Sequence, residues 1–133
     1  MRVFLDTNVL VSAFATRGLC ADVLRLVLAE HTLIIGDVVL RELARVLRTR
    51  IGLPRARVDD IVAFLREYEV VPRPKAPSEL AIRDDSDRWV LASAVSGAAE
   101  VLVTGDQDLL DVAAKAPLTI VDPRGFWRLA HRP

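Results

Sequence analysis

The stretch RVFLDTNVLVS, residues 2–12, contains the pattern on which the predicted fold rests. Its apolar residues 3–5 predict a short buried strand, and the polar residues 6–8 then lead into an apolar pattern typical of a helix. Open α/β sheets bind ligands at the carboxyl ends of their strands. The stretch therefore predicts a strand and a helix that place the carboxylate of Asp6 at a ligand-binding edge.

A second stretch has the same form. In EVLVTGDQD, residues 100–108, an apolar run predicts a buried strand, and the Gly105 turn is followed by Asp106 and Asp108, which are typical of a helix start. We therefore expect two strands to deliver carboxylates to the same edge of one sheet.

Strand-like and helix-like segments alternate along the chain, which predicts an α/β fold with a mainly parallel sheet. The predicted strands lie near 2–6, 32–36, 101–104 and 118–121, with a short candidate strand at 70–71. The predicted helices lie near 8–15, 20–30, 38–49, 56–68, 87–97, 107–114 and 124–130. The proline-rich loop at 72–77 is too short for a domain linker, so we expect one domain over residues 1–133.

The composition suits a compact domain with a sizeable core, because 52% of the 133 residues are hydrophobic. The 18 basic and 18 acidic side chains give a net charge of zero, so overall charge offers no argument for a nucleic-acid partner. The single cysteine, Cys20, excludes an internal disulfide. Because the sequence has neither a long apolar span nor a signal-peptide pattern, we expect a soluble cytoplasmic protein without a membrane partner.

The predicted helix at 38–49 places an acid beside a basic stripe. Glu42 borders the apolar face of this helix, and Asp37 is predicted to cap its start. The neighbouring stripe consists of Arg41, Arg45 and Arg48, and further arginines follow at 50, 55 and 57. The stripe together with these three arginines is the best candidate track for phosphates, and the alternative is a solvated helix face.

Each acidic residue also has an ordinary structural interpretation. Asp87 and Asp106 would suit the first positions of their helices as caps, and Asp108 would be favoured by the helix dipole. Glu42 could pair with Arg45 on the helix surface. Asp6 has the weakest such interpretation, because its only ordinary role would be to accept a hydrogen bond from a following amide.

Four motifs together resemble the PIN-domain family, a group of small metal-dependent ribonucleases that includes the VapC-type toxins of toxin–antitoxin systems. In chain order the motifs are LDTNVLVS at 5–12, LREL at 40–43, DDSDRWVLA at 84–92 and LVTGDQDLL at 102–110. The resemblance extends over essentially the whole chain. It implies a three-layer α/β/α sandwich with a mainly parallel central sheet.

The resemblance also implies the site. It matches four residues to the family's acidic quartet, namely Asp6, Glu42, Asp87 and Asp106. Three further residues match positions that support the quartet, namely Asn8, Thr104 and Asp108. Relatives often have Ser at the position of Asp37 and an Asp-Pro-Asp-Asp type run at the position of residues 83–87, which leaves open whether Asp84 or Asp85 takes part.

The implied activity is hydrolysis of RNA phosphodiester bonds with Mg²⁺ or Mn²⁺, ions that prefer oxygen ligands. Asp6, Asp87 and Asp106 would be metal ligands, and Glu42 a ligand or a base that orients water. The stripe Arg41, Arg45 and Arg48 would contact RNA or, in a toxin, the cognate antitoxin. Relatives commonly form homodimers, so a homodimer is expected, while the RNA target stays open.

Two other classes of protein share part of this pattern. A phosphoryl-transfer enzyme with an aspartyl nucleophile would need a second Asp two residues after the first, where this chain has Asn8, or a late Lys, for which Lys115 is poorly placed. A non-catalytic PIN-like module that binds RNA or protein is the remaining alternative, and an RNA cleavage assay distinguishes it.

Overall fold

The computed structural model of the protein describes residues 1–132, and Pro133, the last residue of the predicted domain, lies outside the described residues. The strands are β1 (Arg2–Leu5), β2 (Thr32–Gly36), β3 (Glu69–Val71), β4 (Val101–Val103) and β5 (Thr119–Val121). The α-helices are α1 (Thr7–Ala15), α2 (Leu19–Glu30), α3 (Asp37–Val46), α4 (Arg55–Leu65), α5 (Asp85–Ser96), α6 (Gln107–Leu110) and α7 (Pro123–Ala130). A π-helical turn at Leu47–Ile51, called the π-turn below, directly follows α3, and a 3-10 turn at Ala113–Lys115 follows α6.

The five strands form one parallel sheet in the order β3-β2-β1-β4-β5. This confirms the predicted α/β sandwich with a parallel central sheet, and the candidate strand at 70–71 is real. From β1 the chain adds β2 and then β3 on one side of the sheet. It then returns to the other side of β1, where it adds β4 and then β5. The strand order therefore reverses between β1 and β4, which is where open α/β sheets form their ligand crevice.

The sheet is buried in one apolar cluster, to which the apolar residues of β1, β2 and β4 contribute almost completely enclosed side chains. Parallel strands covered on both faces carry such continuous apolar runs. Phe4 in β1 is fully buried and contacts the position of Gly36 at the end of β2, where an added Cβ would lie 2.7 Å from Phe4 Cζ. Gly36 therefore allows β1 and β2 to pack around this ring.

The start of α3 differs from the prediction that Asp37 caps it. Gly36 occupies the capping position, and Asp37 is the first helical residue. The reason is that β2 continues through Gly36 and the helix begins without an intervening loop. The carboxylate of Asp37 instead pairs with Arg41 at 2.9 Å and with Arg66 at 3.8 Å.

Other helix boundaries also differ, and the helix predicted at 56–68 ends at Leu65. The predicted helix at 38–49 ends as an α-helix at Val46 and widens into the π-turn, which Gly52 terminates with a φ of 80°. The predicted helix at 107–114 is divided into α6 and the 3-10 turn. The helix predicted to start at Asp87 begins two residues earlier, at Asp85. Among residues 1–132, every helix is too short or too polar to cross a bilayer.

We expect Gly36→Ala to lower the free energy of unfolding by about 1–3 kcal/mol. The added methyl group would overlap the buried ring of Phe4, which cannot move away, and would overpack the core. Urea unfolding measures this change. Gly105→Ala is the matched control, since its Cβ would lie 3.5 Å from its nearest neighbour, Asn8 Oδ1, which is an ordinary contact. Equal stabilities of the two variants would contradict the packing argument.

Candidate active site

Asp6 lies at the junction of β1 and β4 and is 3% exposed. Its backbone N–H donates to Val103 O at 2.9 Å, which continues the ladder between the two strands. Its carboxylate accepts from Thr7 N at 2.7 Å and from Thr104 Oγ1 at 2.7 Å. The expected bond to a following amide is therefore present, but a second bond ties Asp6 to the other strand.

The loop after β4 is held against the start of α1. The Thr104 hydroxyl, which donates to Asp6, accepts from Asp106 N at 3.0 Å. Gly105 N donates to Asn8 Oδ1 at 3.0 Å. Asn8 and Thr104 thus connect the two strand ends, and this network fixes Asp106 near Asp6.

Asp106 takes the capping position of α6, as its structural interpretation predicted. Its Oδ1 accepts from Asp108 N at 2.9 Å. The same side chain faces Asp87, so capping does not exclude Asp106 from the site.

Asp87 is 5% exposed and does not cap α5. Asp84 is the cap, because its Oδ1 accepts from Ser86 N at 2.9 Å and from Ser86 Oγ at 2.8 Å. The capping interpretation of Asp87 is therefore wrong. Within residues 1–132, Asp87 Oδ2 is buried and has no hydrogen-bond partner.

Glu42 is half-buried on α3 and faces the same space as Asp6. Its charge contributes to the raised pKa of Asp6. The surface pair with Arg45 is not formed, since none of the ion pairs among residues 1–132 involves Glu42. The interpretation of Glu42 as a surface partner of Arg45 is therefore wrong.

These carboxylates line one cavity of about 410 Å³. Its acidic lining comprises Asp6, Glu42, Asp84, Asp87 and Asp106. All four members of the predicted quartet are therefore brought together at the point where the strand order reverses. Asp108 lies beside this group, because one oxygen from each of Asp84, Asp87 and Asp108 fits within 4.8 Å of the others.

Burial of like charges changes the acidity of two carboxyl groups. Burial raises the pKa of Asp6 to about 6; bonds from Thr104 and Thr7 oppose this rise, and the charges of Glu42 and Asp106 add to it. Burial raises the pKa of Asp87 to about 8, and the neighbouring Asp106 adds to the rise, because a hydrogen bond between these two carboxyl groups forms only when one of them is protonated. A cation bound here would relieve both effects, because it favours the ionised carboxylates.

The residues fit a hard divalent cation. The cavity offers carboxylate oxygens, which Mg²⁺ and Mn²⁺ prefer, and open space for the waters that Mg²⁺ keeps. Two of its lining residues carry buried oxygens without a partner among residues 1–132, namely Thr7 Oγ1 and Asp87 Oδ2. Unpartnered buried oxygens are costly in a folded protein and are common where a ligand completes the site.

The predicted arginine stripe lies outside this cavity. Arg41, Arg45 and Arg48 are exposed and do not line it, whereas Arg50 and Ile51 from the π-turn do. Arg50 is the one basic residue in its lining within residues 1–132. The sequence signal was the run of arginines from 41 to 57, but an α-helical wheel could not place Arg50 because the π-turn changes the helical register.

The chain matches the PIN domain family over residues 2–108. Comparison with curated proteins gives no significant match. Among solved structures, the chain is similar to VapBC2 from Rickettsia felis bound to a DNA fragment from their promoter, with 18% identity, a TM-score of 0.61 and coverage of 92% of this chain and 98% of that chain.

Two further structures have the same fold. VapBC-1 from nontypeable Haemophilus influenzae is 19% identical, with a TM-score of 0.60 and coverage of 93% of this chain and 99% of that chain. The sarcin-ricin loop cleaving toxin VapC20 from Mycobacterium tuberculosis is 15% identical, with a TM-score of 0.56 and coverage of 81% of this chain and 94% of that chain. Since the family match runs from β1 through the carboxylates that follow β4, this chain belongs to the PIN domain family.

Proposed function

We propose that this protein is a Mg²⁺- or Mn²⁺-dependent endoribonuclease, and that it is the toxin of a toxin–antitoxin pair. The observation that carries the proposal is the carboxylate of Asp87, which is buried beside other acids and leaves Oδ2 without a partner among residues 1–132. Such a group opposes folding unless a ligand completes it. A divalent cation between the carboxylates supplies that ligand.

Asp6, Asp87 and Asp106 would hold the ion, and Glu42 would be a further ligand or the base that orients the attacking water. The bound ion would make water more acidic and offset charge on the phosphate oxygens. The chain's own contribution is to fix these carboxylates before substrate arrives, and the 2.7 Å bond from Thr104 to Asp6 does this most directly.

Two other residues would support this arrangement. Asn8 holds Gly105 through its 3.0 Å bond, and thereby the turn that carries Asp106. Asp108 would assist from α6, where one of its oxygens lies near those of Asp84 and Asp87. These residues would act within one catalytic domain that spans residues 1–133.

The proposed partners follow from the similar structures. VapBC structures contain a toxin with its antitoxin, and VapC20 is a sarcin-ricin loop cleaving toxin. By this likeness we propose an RNA substrate and a cognate antitoxin for this chain. Exposed Arg41, Arg45 and Arg48 would contact one of these partners, and the partly exposed Phe64 on α4 is consistent with a homodimer.

We expect Asp6→Asn to reduce metal-dependent cleavage of a mixed RNA pool by at least about 100-fold, because it removes an ionic ligand without changing side-chain size. Asp59→Asn, an exposed substitution on α4, is the matched control and should keep wild-type activity. If Asp6→Asn and the wild type degrade RNA equally, the activity is a contaminant. If neither cleaves under varied metal and substrate, a non-catalytic binding module is the better interpretation.

We expect Mg²⁺ or Mn²⁺ to raise the melting temperature of the wild type, since a ligand that binds only the folded state adds about 2.7 kcal/mol at 100 times its dissociation constant. Differential scanning fluorimetry at pH 8 measures the shift. Asp87→Asn should abolish it and Asp59→Asn should keep it. An unchanged melting temperature across millimolar metal would argue against the site.

Without metal, the free energy of unfolding should fall as the pH rises from about 4 to about 8. The folded chain holds protons on Asp6 to about pH 6 and on Asp87 to about pH 8, whereas the unfolded chain releases them near the ordinary value of 3.8. These raised pKa values make folding most favourable below pH 4, and the advantage is lost as pH rises through 6 and 8.

The Asp87→Asn variant isolates this effect, because its neutral side chain cannot ionise. Urea unfolding in a chelator should give a variant that is more stable than wild type at pH 8 and closer to wild type at pH 5. A difference between the two proteins that does not change with pH would contradict the assigned acidity of Asp87.

A further inference from the structure

We propose that Arg50 forms a phosphate-binding subsite for the RNA strand, at the far end of a groove that leads away from the carboxylates. This inference rests on the proposed ribonuclease function and names the place where the substrate backbone is held. It differs from the stripe of Arg41, Arg45 and Arg48, which lies outside the cavity.

The cavity is elongated along two elements. One wall follows α1 from Asn8 to Thr16, with Ser12 between them. The opposite wall contains Glu42 and Arg50, which are eight residues apart along α3 and the π-turn. Within α1 the lining from Asn8 to Ala15 extends about 10 Å at a rise of about 1.5 Å per residue, with the acids at its start, and the π-turn packs against α1, so the cavity is a groove that runs from the acids towards Arg50.

Arg50 is available for a ligand. It is exposed, and within residues 1–132 it forms neither an ion pair nor a side-chain hydrogen bond. Arg41, by contrast, is engaged by Asp37 at 2.9 Å. A free guanidinium presents donors that match phosphate oxygens, and it would make bidentate contacts with them.

Arg50 lies in the π-turn and lines the groove from there. Single π-helical turns are uncommon and occur frequently at functional sites. Gly52 ends this turn in the left-handed region, with a φ of 80°, and Leu53 N closes it by donating to Leu47 O at 2.9 Å. The backbone that carries Arg50 is thus fixed at both sides.

The remaining lining suits a nucleic-acid strand. Ser12 and Thr16, which are polar, line the groove at α1 and at its C-terminal end, where Thr16 Oγ1 donates to Ser12 O at 2.8 Å. Ile51 beside Arg50 keeps 42% of its surface exposed, which offers an apolar contact for a sugar or a base. The carboxylate end repels phosphate until cations are bound, so a fixed positive charge further along is needed to hold the strand.

Arg50→Ala and Arg50→Lys test the proposal, with Arg124→Ala on α7 as an exposed control that lies outside the cavity. In cleavage of a single-stranded RNA, Arg50→Ala should raise KM about tenfold and change kcat much less, because it removes binding to a phosphate that does not react. Arg50→Lys should recover only part of the affinity, because it keeps the positive charge but not the bidentate geometry. The Mg²⁺-induced rise in melting temperature should equal that of wild type in all three variants.

Binding without cleavage gives an independent measurement. In the full-length Asp6→Asn protein, fluorescence anisotropy with the same RNA should show that Arg50→Ala weakens binding and lowers the slope of log affinity against log salt by about 0.7, the value for one phosphate contact on a single strand. Arg124→Ala should leave the slope unchanged.

The outcomes separate this subsite from the proposed function. If the wild type cleaves RNA and Arg50→Ala changes neither KM nor the salt slope, the subsite is refuted and the ribonuclease proposal stands. If the wild type does not cleave but Arg50→Ala still lowers RNA affinity and the slope, the subsite stands and catalysis is refuted. An equal loss in Arg124→Ala would also refute the subsite, because the effect would then be one of overall charge.

Discussion

The structure depends on a single constraint, which is that the Asp6 carboxylate is buried between β1 and β4. A buried carboxylate is tolerated only when hydrogen bonds or a cation compensate for the lost water. Thr7 N and Thr104 Oγ1 provide part of this compensation, and Thr104 can do so only because Leu5 pairs with Val103 in the parallel ladder. The register of β1 and β4 therefore determines the geometry of the site.

Much of the fold was predictable because its determinants are local. Apolar runs marked the central strands, and the polar residues that follow β1 and β4 marked the strand ends where Asp6 and Asp106 lie. Parallel strands end at the same edge, so the approach of these two acids followed from the pattern alone. Glu42 was also placed correctly at the border of the apolar face of α3, because that face obeys the α-helical period.

The remainder could not be predicted because it depends on contacts between distant residues or on helix geometry. Gly36, and not Asp37, takes the capping position of α3, because β2 extends to Gly36 under the ring of Phe4. No local sequence pattern shows this contact. Capping preferences suggested Asp87, yet Asp84 takes that role and leaves Asp87 to the buried site. Arg50 belonged to the candidate track of arginines, but a wheel of 3.6 residues per turn could not show that it lines the cavity, because the π-turn changes the helical register.

The bond between Thr104 and Asp6 joins residues that are 98 positions apart. Such long-range pairing forms late, because loop closure must precede the contact, and in a chain made from its N-terminus the partner strand must first be synthesised. A nascent chain that stops before β4 has Asp6 and Glu42 but neither Thr104 nor Asp106. During its synthesis the protein therefore carries an incomplete set of carboxylates until nearly four-fifths of the chain has been made.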